Sequence, residues 1–344
     1  MNLQKLETTA NAMVVSGKGI LAMDESSPTA AKRLRAVGVE STAENRAAYR
    51  TLLLGTPGLG EYISGAILYD ETLRQRTTDD GSAFPELMRR QGIIVGIKVD
   101  GGAKDLAGHP GEKVTEGLDG LRERLAEYAD FGAQFCKWRA VITIGPELPT
   151  RACIEVNAHA LARYAMLCQE ADMVPIVEPE VMIDGDHSIE RCYDVTLETQ
   201  RAVFEQLYRQ GVAFSGMVLK PSMVISGKGA ASRAPVEQVA EQTLRCLGNT
   251  VPAAVPGIAF LSGGQSDEEA TAHLNTMNLM AKHMQLPWRL TFSYARALQQ
   301  ATLATWKGEA GNVEAARKVL LHRARLNALA SSGSYDQAME KQAA

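Results

Sequence analysis

The sequence is expected to fold as an α/β protein, a single-domain (β/α)8 barrel. Three observations lead there. Eight short apolar runs recur along the chain, and longer amphipathic stretches fill the spaces between them. Most runs are rich in Ile, Val, Leu and Phe and start near Gly or Pro, as buried parallel strands do. The spacing, about 30 to 45 residues, suits the crossover that parallel neighbours need, and closing the ring removes exposed edges. An open doubly wound sheet is the alternative.

In chain order the runs are GKGILAMDE (18–25), EYISGAILYD (61–70), GIIVGIKVD (92–100), AQFCKWRAVI (133–142), VPIVEPEVM (174–182), SGMVLKPSM (215–223), GIAFLSGG (257–264) and RLTFSYAR (289–296). Helices are expected over 40–54, which opens with Ser, Thr and acidic residues, and over 114–132, whose helical periodicity ends in Gly. Further helices are expected over 152–173, 189–211, 234–249 and 267–283, with a long Ala-rich helical region over 296–330. No linker, low-complexity block or internal repeat divides the chain. Residues 1–330 read as one catalytic barrel with terminal helices, and 331–344 as a short polar tail.

A chain of 344 residues, 45% hydrophobic, can bury a large core. Its formal net charge is -4, so neither nucleic acid nor an anionic membrane is expected as partner. The five cysteines include no CxxC pair and point to reduced thiols rather than disulfides. No secretory or transit pattern opens the sequence, and no apolar run is long enough to span a bilayer. A cytoplasmic location is expected. The six histidines are scattered without HxH or HExxH spacing, so neither a metal nor another cofactor is expected. DGDH (184–187) reads as a polar turn rather than a cation loop.

Charged and polar residues interrupt the apolar runs near their C-terminal ends: Asp24, Lys98, Asp100, Lys137, Arg139, Glu178, Glu180, Lys220, Ser262, Ser293 and Arg296. That end of a barrel is where active sites form, and a charge there is costly unless paired or used. Lys220 follows Val218 and Leu219, and Pro221 holds it extended. Burial and nearby cations, for which Lys98 and Lys137 are candidates, favour the neutral amine that attacks a ketone. The alternative is a structural lysine paired with Glu178 or Glu180. These two carboxylates are two residues apart, so a strand places both on one face. One can then hold a proton while the other stays ionised. Ser262, with Gly263 and Gly264, is suited to bring backbone N–H groups to an anion, and Arg296 after the eighth run can fork onto phosphate oxygens. Lys32 and Arg33, beyond Asp24, are candidates for a second phosphate.

The segments GKGILAMDES, VGIKVD, LAGHPGEKVTEGLDGL, CKWR, NAHALARYA, PIVEPE, DGDH, RCYDVT, LKPSMV, FLSGGQSDEEA and TFSYARALQ run in order over about residues 15–335. Together they resemble the class I fructose-bisphosphate aldolases. The resemblance implies a metal-independent barrel lyase that reversibly cleaves fructose 1,6-bisphosphate to dihydroxyacetone phosphate and glyceraldehyde 3-phosphate. It implies Lys220 as the Schiff-base lysine, Glu178 as principal acid/base with Glu180 beside it, and Asp24 as acceptor of the C4 hydroxyl proton. Lys98 and Lys137 would bind substrate and tune Lys220. Ser262, Gly263 and Arg296 would hold the phosphate next to the ketone, and Arg33, Ser26 and Thr29 would lie near the other. A homotetramer is implied, and sedoheptulose 1,7-bisphosphate and fructose 1-phosphate are further candidate substrates. A transaldolase-like imine enzyme and a non-catalytic barrel scaffold are the alternative readings.

Three departures from the family pattern stand out. The better-known animal and plant members end in a tyrosine that helps protonate the enamine, whereas this sequence ends in MEKQAA. Ala295 stands where a glycine precedes the arginine, and Pro28 stands where the family often has Gly in the loop after Asp24.

Overall fold

Each apolar run contains a strand, and all eight strands are parallel. They are β1 (Gly19–Met23), β2 (Ile63–Leu68), β3 (Ile94–Lys98), β4 (Phe135–Ile142), β5 (Val174–Val181), β6 (Val218–Leu219), β7 (Gly257–Phe260) and β8 (Arg289–Tyr294). The computed structural model describes residues 1–341. Neighbours in the ring are neighbours in sequence, and pairing of Ile20 with Ser293 closes β8 onto β1. The barrel, not an open sheet, is the architecture.

β6 is the shortest strand. Pro221 has no N–H to donate, so the ladder toward β5 stops there. Lys220, just past the strand, still donates its N–H to Val177 O at 2.8 Å, and on the other side the Pro221 carbonyl accepts from Leu261 N–H at 3.1 Å. The expected helix at 40–54 begins at Ala43, with the Thr42 hydroxyl accepting from Asn45 N–H at 3.0 Å as an N-cap.

One expectation changes and two gain detail. Residues 114–132 are not one helix: Lys113–Glu116 pairs antiparallel with Gly102–Asp105, and only Leu121–Asp130 is helical. Gly117 and Gly120 at φ 124° and 65° break the helix between them. The region 296–330 is two helices, Arg296–Trp306 and Val313–Ala330, separated at Lys307 and Gly308, both at positive φ. Described residues of the tail are anchored to the barrel. Tyr335 packs on the core, its hydroxyl donates to Glu340 at 2.9 Å, and Glu340 pairs with the buried Arg323 at 2.5 Å. Positions 342–344 of that tail lie outside the described residues.

Two apolar clusters hold the fold. The larger fills the shell between the strands and the surrounding helices. The smaller lies inside the ring and includes Ile20, Ala22, Ile67, Phe135, Val174, Ile176, Val218 and Ala259. The unanticipated helix Leu3–Met13 plugs it with Leu6, Ala10 and Met13, and Val14 follows them in. Small residues make room: a Cβ on Gly257 would stand 2.7 Å from Val14, and one on Gly96 2.1 Å from the Phe135 ring. The N-terminal end of the barrel is therefore filled with hydrocarbon, and the polar ends of the strands open at the opposite mouth.

Gly96→Ala is expected to overpack this interior and destabilise the protein by about 1–3 kcal/mol. Adding Phe135→Leu should recover part of the loss. Thermal midpoints of the single and double variants check this, and an unchanged midpoint for Gly96→Ala would contradict the packing argument.

Candidate active site

The C-terminal mouth of the barrel holds a cavity of about 490 Å³. Strand alternation aims its walls inward: Lys137, Arg139 and Val141 of β4, and Glu178 and Glu180 of β5, lie two residues apart on the same face. Register places Arg139 opposite Glu178 and Lys98 opposite Lys137. Asp24 follows β1, Lys98 ends β3, Lys220 follows β6, Ser262 and Gly263 follow β7, and Arg296 opens the helix after β8. Ser26, Thr29 and Arg33 complete the lining on the side of β1.

At the centre is Lys137, a buried ammonium among three carboxylates. Its Nζ lies 2.5 Å from Asp24 Oδ2, 3.4 Å from Glu178 Oε2 and 3.9 Å from Asp100 Oδ2. Burial alone favours the neutral amine, but the three anions outweigh it and hold Lys137 protonated well beyond the ordinary lysine range. Lys220 Nζ lies 3.1 Å from Glu178 Oε1. Glu178 therefore spans the two lysines. Among the described residues its Oε2 accepts no well-directed hydrogen bond beyond the Lys137 ion pair, and the buried Ser293 hydroxyl has no partner. Buried polar atoms are seldom left unpaired, so the Ser293 hydroxyl is available to a ligand.

Asp24 shows the same competition in reverse. Burial disfavours its charge, but Lys137, Lys220 and Lys98 prevail and hold its carboxyl at about 2. It stays ionised throughout the neutral range.

The lysines expected to crowd Lys220 are themselves ion-paired with carboxylates. Lys98 Nζ sits 2.6 Å from Asp100 Oδ1 and donates to the Asp100 carbonyl at 2.6 Å. Asp100 in turn accepts from Gly102 N–H at 3.1 Å and Arg139 N–H at 3.3 Å, which locks its carboxylate. Glu180 pairs with Arg139 rather than with a lysine. Arg33 pairs with Glu25, whose carboxyl is pushed up by burial against the opposing pull of Arg33. Ser26 and Thr29 share a hydrogen bond of 3.3 Å. Pro28 lies not in a loop but in the first turn of the helix Ser27–Arg35, where proline fits without loss of a hydrogen bond. Ala295 has φ -103°, which any side chain tolerates. Gly264, grouped by sequence with Ser262 and Gly263, does not line the cavity.

Asp100, Arg139, Glu25, Tyr69 and Ser293 line the cavity but had no sequence-assigned role. Asp100, Arg139 and Ser293 were visible as polar residues in or beside apolar runs. Glu25 and Tyr69 also stand at the ends of apolar runs, beside Asp24 and Asp70.

A closed barrel with a lysine- and carboxylate-lined mouth is the frame of a (β/α)8 enzyme. Comparison with known proteins specifies which. The class I fructose-bisphosphate aldolase family model matches residues 5–344. A probable class 1 fructose-bisphosphate aldolase from Xanthomonas campestris is 59% identical over 336 residues, covering 97% of this chain and 99% of that protein. The fructose-bisphosphate aldolase of Dictyostelium discoideum is 49% identical, covering 96% and 92%. The solved Plasmodium falciparum fructose-bisphosphate aldolase superposes with a TM-score of 0.95 at 49% identity, over 97% of this chain and 96% of that one. The chain belongs to the class I fructose-bisphosphate aldolase family. It is a lyase, and the family's reaction proceeds through a lysine Schiff base.

The Asp24 carboxyl, at about 2 in the fold against 3.8 when free, stabilises the protein above pH 3.8, and this contribution is lost as pH falls through 2. It is worth about 2 kcal/mol. Asp24→Asn is therefore expected to lose that much less stability than wild type between pH 5 and pH 2, read from urea unfolding at each pH. Parallel stability curves would contradict it.

Proposed function

We propose that Lys220 is the imine-forming lysine of this aldolase and that Glu178 manages its protons. One observation carries the assignment: a single buried carboxylate contacts both Lys220 and Lys137, and Lys137 contacts Asp24. Proton donor and acceptor groups thus form a continuous line from the Lys220 amine to the Asp24 carboxylate.

In this reading the Lys220 amine attacks the ketone carbon, C2. Glu178 passes a proton to the departing oxygen, and water leaves as the iminium forms. The iminium accepts the electron pair of the C3–C4 bond as it breaks. Asp24 accepts a hydrogen bond from the C4 hydroxyl and, with Lys137, handles its proton while glyceraldehyde 3-phosphate departs. Protonation of the enamine at C3 and hydrolysis of the imine release dihydroxyacetone phosphate. Tyr335, bonded to Glu340, is not part of the cavity wall, so a group at the mouth or water returns this proton. Ser262, Gly263 and Arg296 hold the phosphate next to the ketone. Arg33, Ser26 and Thr29 face the other phosphate, and Lys98 binds the substrate between them. Glu180 supports through Arg139. Sedoheptulose 1,7-bisphosphate shares the features that these groups recognise.

We further propose one catalytic domain over 1–330, a homotetramer and a cytoplasmic location. Family membership supports the assembly. All five cysteines are free and buried, and no helix among the described residues is long and apolar enough to cross a membrane.

Borohydride added with fructose 1,6-bisphosphate is expected to leave a stable adduct on wild type and none on Lys220→Ala, by intact-mass measurement. An adduct on Lys220→Ala at full activity would overturn the assignment. Glu178→Gln should lower kcat by about 10²–10⁴, the usual share of acid–base catalysis. Light scattering should return four times the 37.1 kDa chain mass.

A further inference from the structure

Neither Lys228 nor the DGDH motif has a part in the chemistry above, yet the fold joins them. The loop at 227–229 is stitched to the loop at 183–187 by three backbone bonds. Gly227 N–H donates to His187 O at 2.9 Å, Lys228 N–H to Ile183 O at 2.9 Å and Gly229 N–H to Gly185 O at 2.8 Å. Glycine on each side of Lys228 permits this approach: a Cβ would stand 2.4 Å from Gly185 O at position 227 and 3.2 Å from it at 229. The backbone is pinned, so the Lys228 side chain is the part left to reach outward.

It reaches the loop after β7. A Cβ on Gly264 would lie 2.6 Å from Lys228 Nζ and 3.2 Å from Arg296 Nη2. Two cations therefore flank one Cα, directly beside Ser262 and Gly263. Like charges converging on one point repel unless an anion lies between them. Lys228 has a carboxylate neighbour in Asp184, at 3.5 Å, but Asp184 is 63% exposed and the pair is screened by water. Among the described residues Arg296 makes no ion pair. A dianionic phosphoryl group outcompetes a solvated carboxylate for such a pair of cations.

We propose that Lys228 is a second cation for the ketone-side phosphate, gripping it together with Arg296 from the opposite side of the Ser262 and Gly263 loop. This inference rests on the reading of Ser262, Gly263 and Arg296 as that phosphate's site. The DGDH loop acts as the platform that holds Lys228 in reach.

Dihydroxyacetone phosphate, which carries only that phosphate, is the probe, and its dissociation constant on the full chain is the measurement. Lys228→Ala is expected to weaken binding about fivefold or more, as loss of a charge-assisted contact does, and Lys228→Arg to restore most of it. The Michaelis constants for fructose 1,6-bisphosphate and fructose 1-phosphate should rise by the same factor, because both carry the ketone-side phosphate. An unchanged dissociation constant in Lys228→Ala, with Arg296→Ala weakened, overturns the role of Lys228 alone. A loss confined to fructose 1,6-bisphosphate also overturns it. If Arg296→Ala itself binds normally, the phosphate site beneath the inference is wrong. The Lys228 side chain is 43% exposed, so its loss is not expected to unfold the protein, and an unchanged thermal midpoint checks this.

Discussion

A buried ammonium surrounded by carboxylates organises the mouth of this barrel. Lys137 touches Asp24, Glu178 and Asp100, and through them reaches β1, β5 and the end of β3. Each of these charges would be costly alone in a buried site, and removing one partner strands the others. The cluster therefore holds only when all its strand ends are in place. It also sets protonation: the anions keep Lys137 charged, and the cations keep Asp24 ionised at about 2. The charge states of these groups at the mouth are thus chosen by the fold before any ligand arrives.

The rest of the molecule serves that arrangement. The helix Leu3–Met13 and the glycines facing Phe135 and Val14 seal the opposite end with hydrocarbon. Water and polar groups are left one open mouth. The hairpin of Gly102–Asp105 and Lys113–Glu116 follows directly from β3, and its first residue helps to lock Asp100, so the second ring of support is built from the connection itself. Loops after β5, β6 and β7 then meet beside Arg296, where Gly185, Gly227, Gly229 and Gly264 let backbone and cations approach closely.

Much of this was legible in the sequence. Eight apolar runs are local signals, and each contains a strand. A charge inside such a run is equally local, so Lys137, Glu178 and Lys220 could be picked out one by one. Less legible were features that depend on what lies opposite. The helix Leu3–Met13 has only a modest apolar stripe of its own, and its role as a plug exists only because a barrel end needs filling. The helical periodicity over 114–120 was outweighed by two glycines at positive φ and by the buried Thr115, whose hydroxyl donates to Arg139 O at 2.7 Å.

The sequence by itself determined the order of elements, the strand on which each charge sits and the family motifs that name the reaction. These follow from periodicity and residue type within a few neighbouring positions. Only the tertiary structure decided the partners. Glu180 took Arg139 instead of a lysine, Arg33 took Glu25, and Lys228 came to stand beside Arg296. The physical reason is closure. Strand register and loop contact in a closed ring bring together residues tens to hundreds of positions apart, and electrostatic pairing depends on that distance in space, not on separation along the chain.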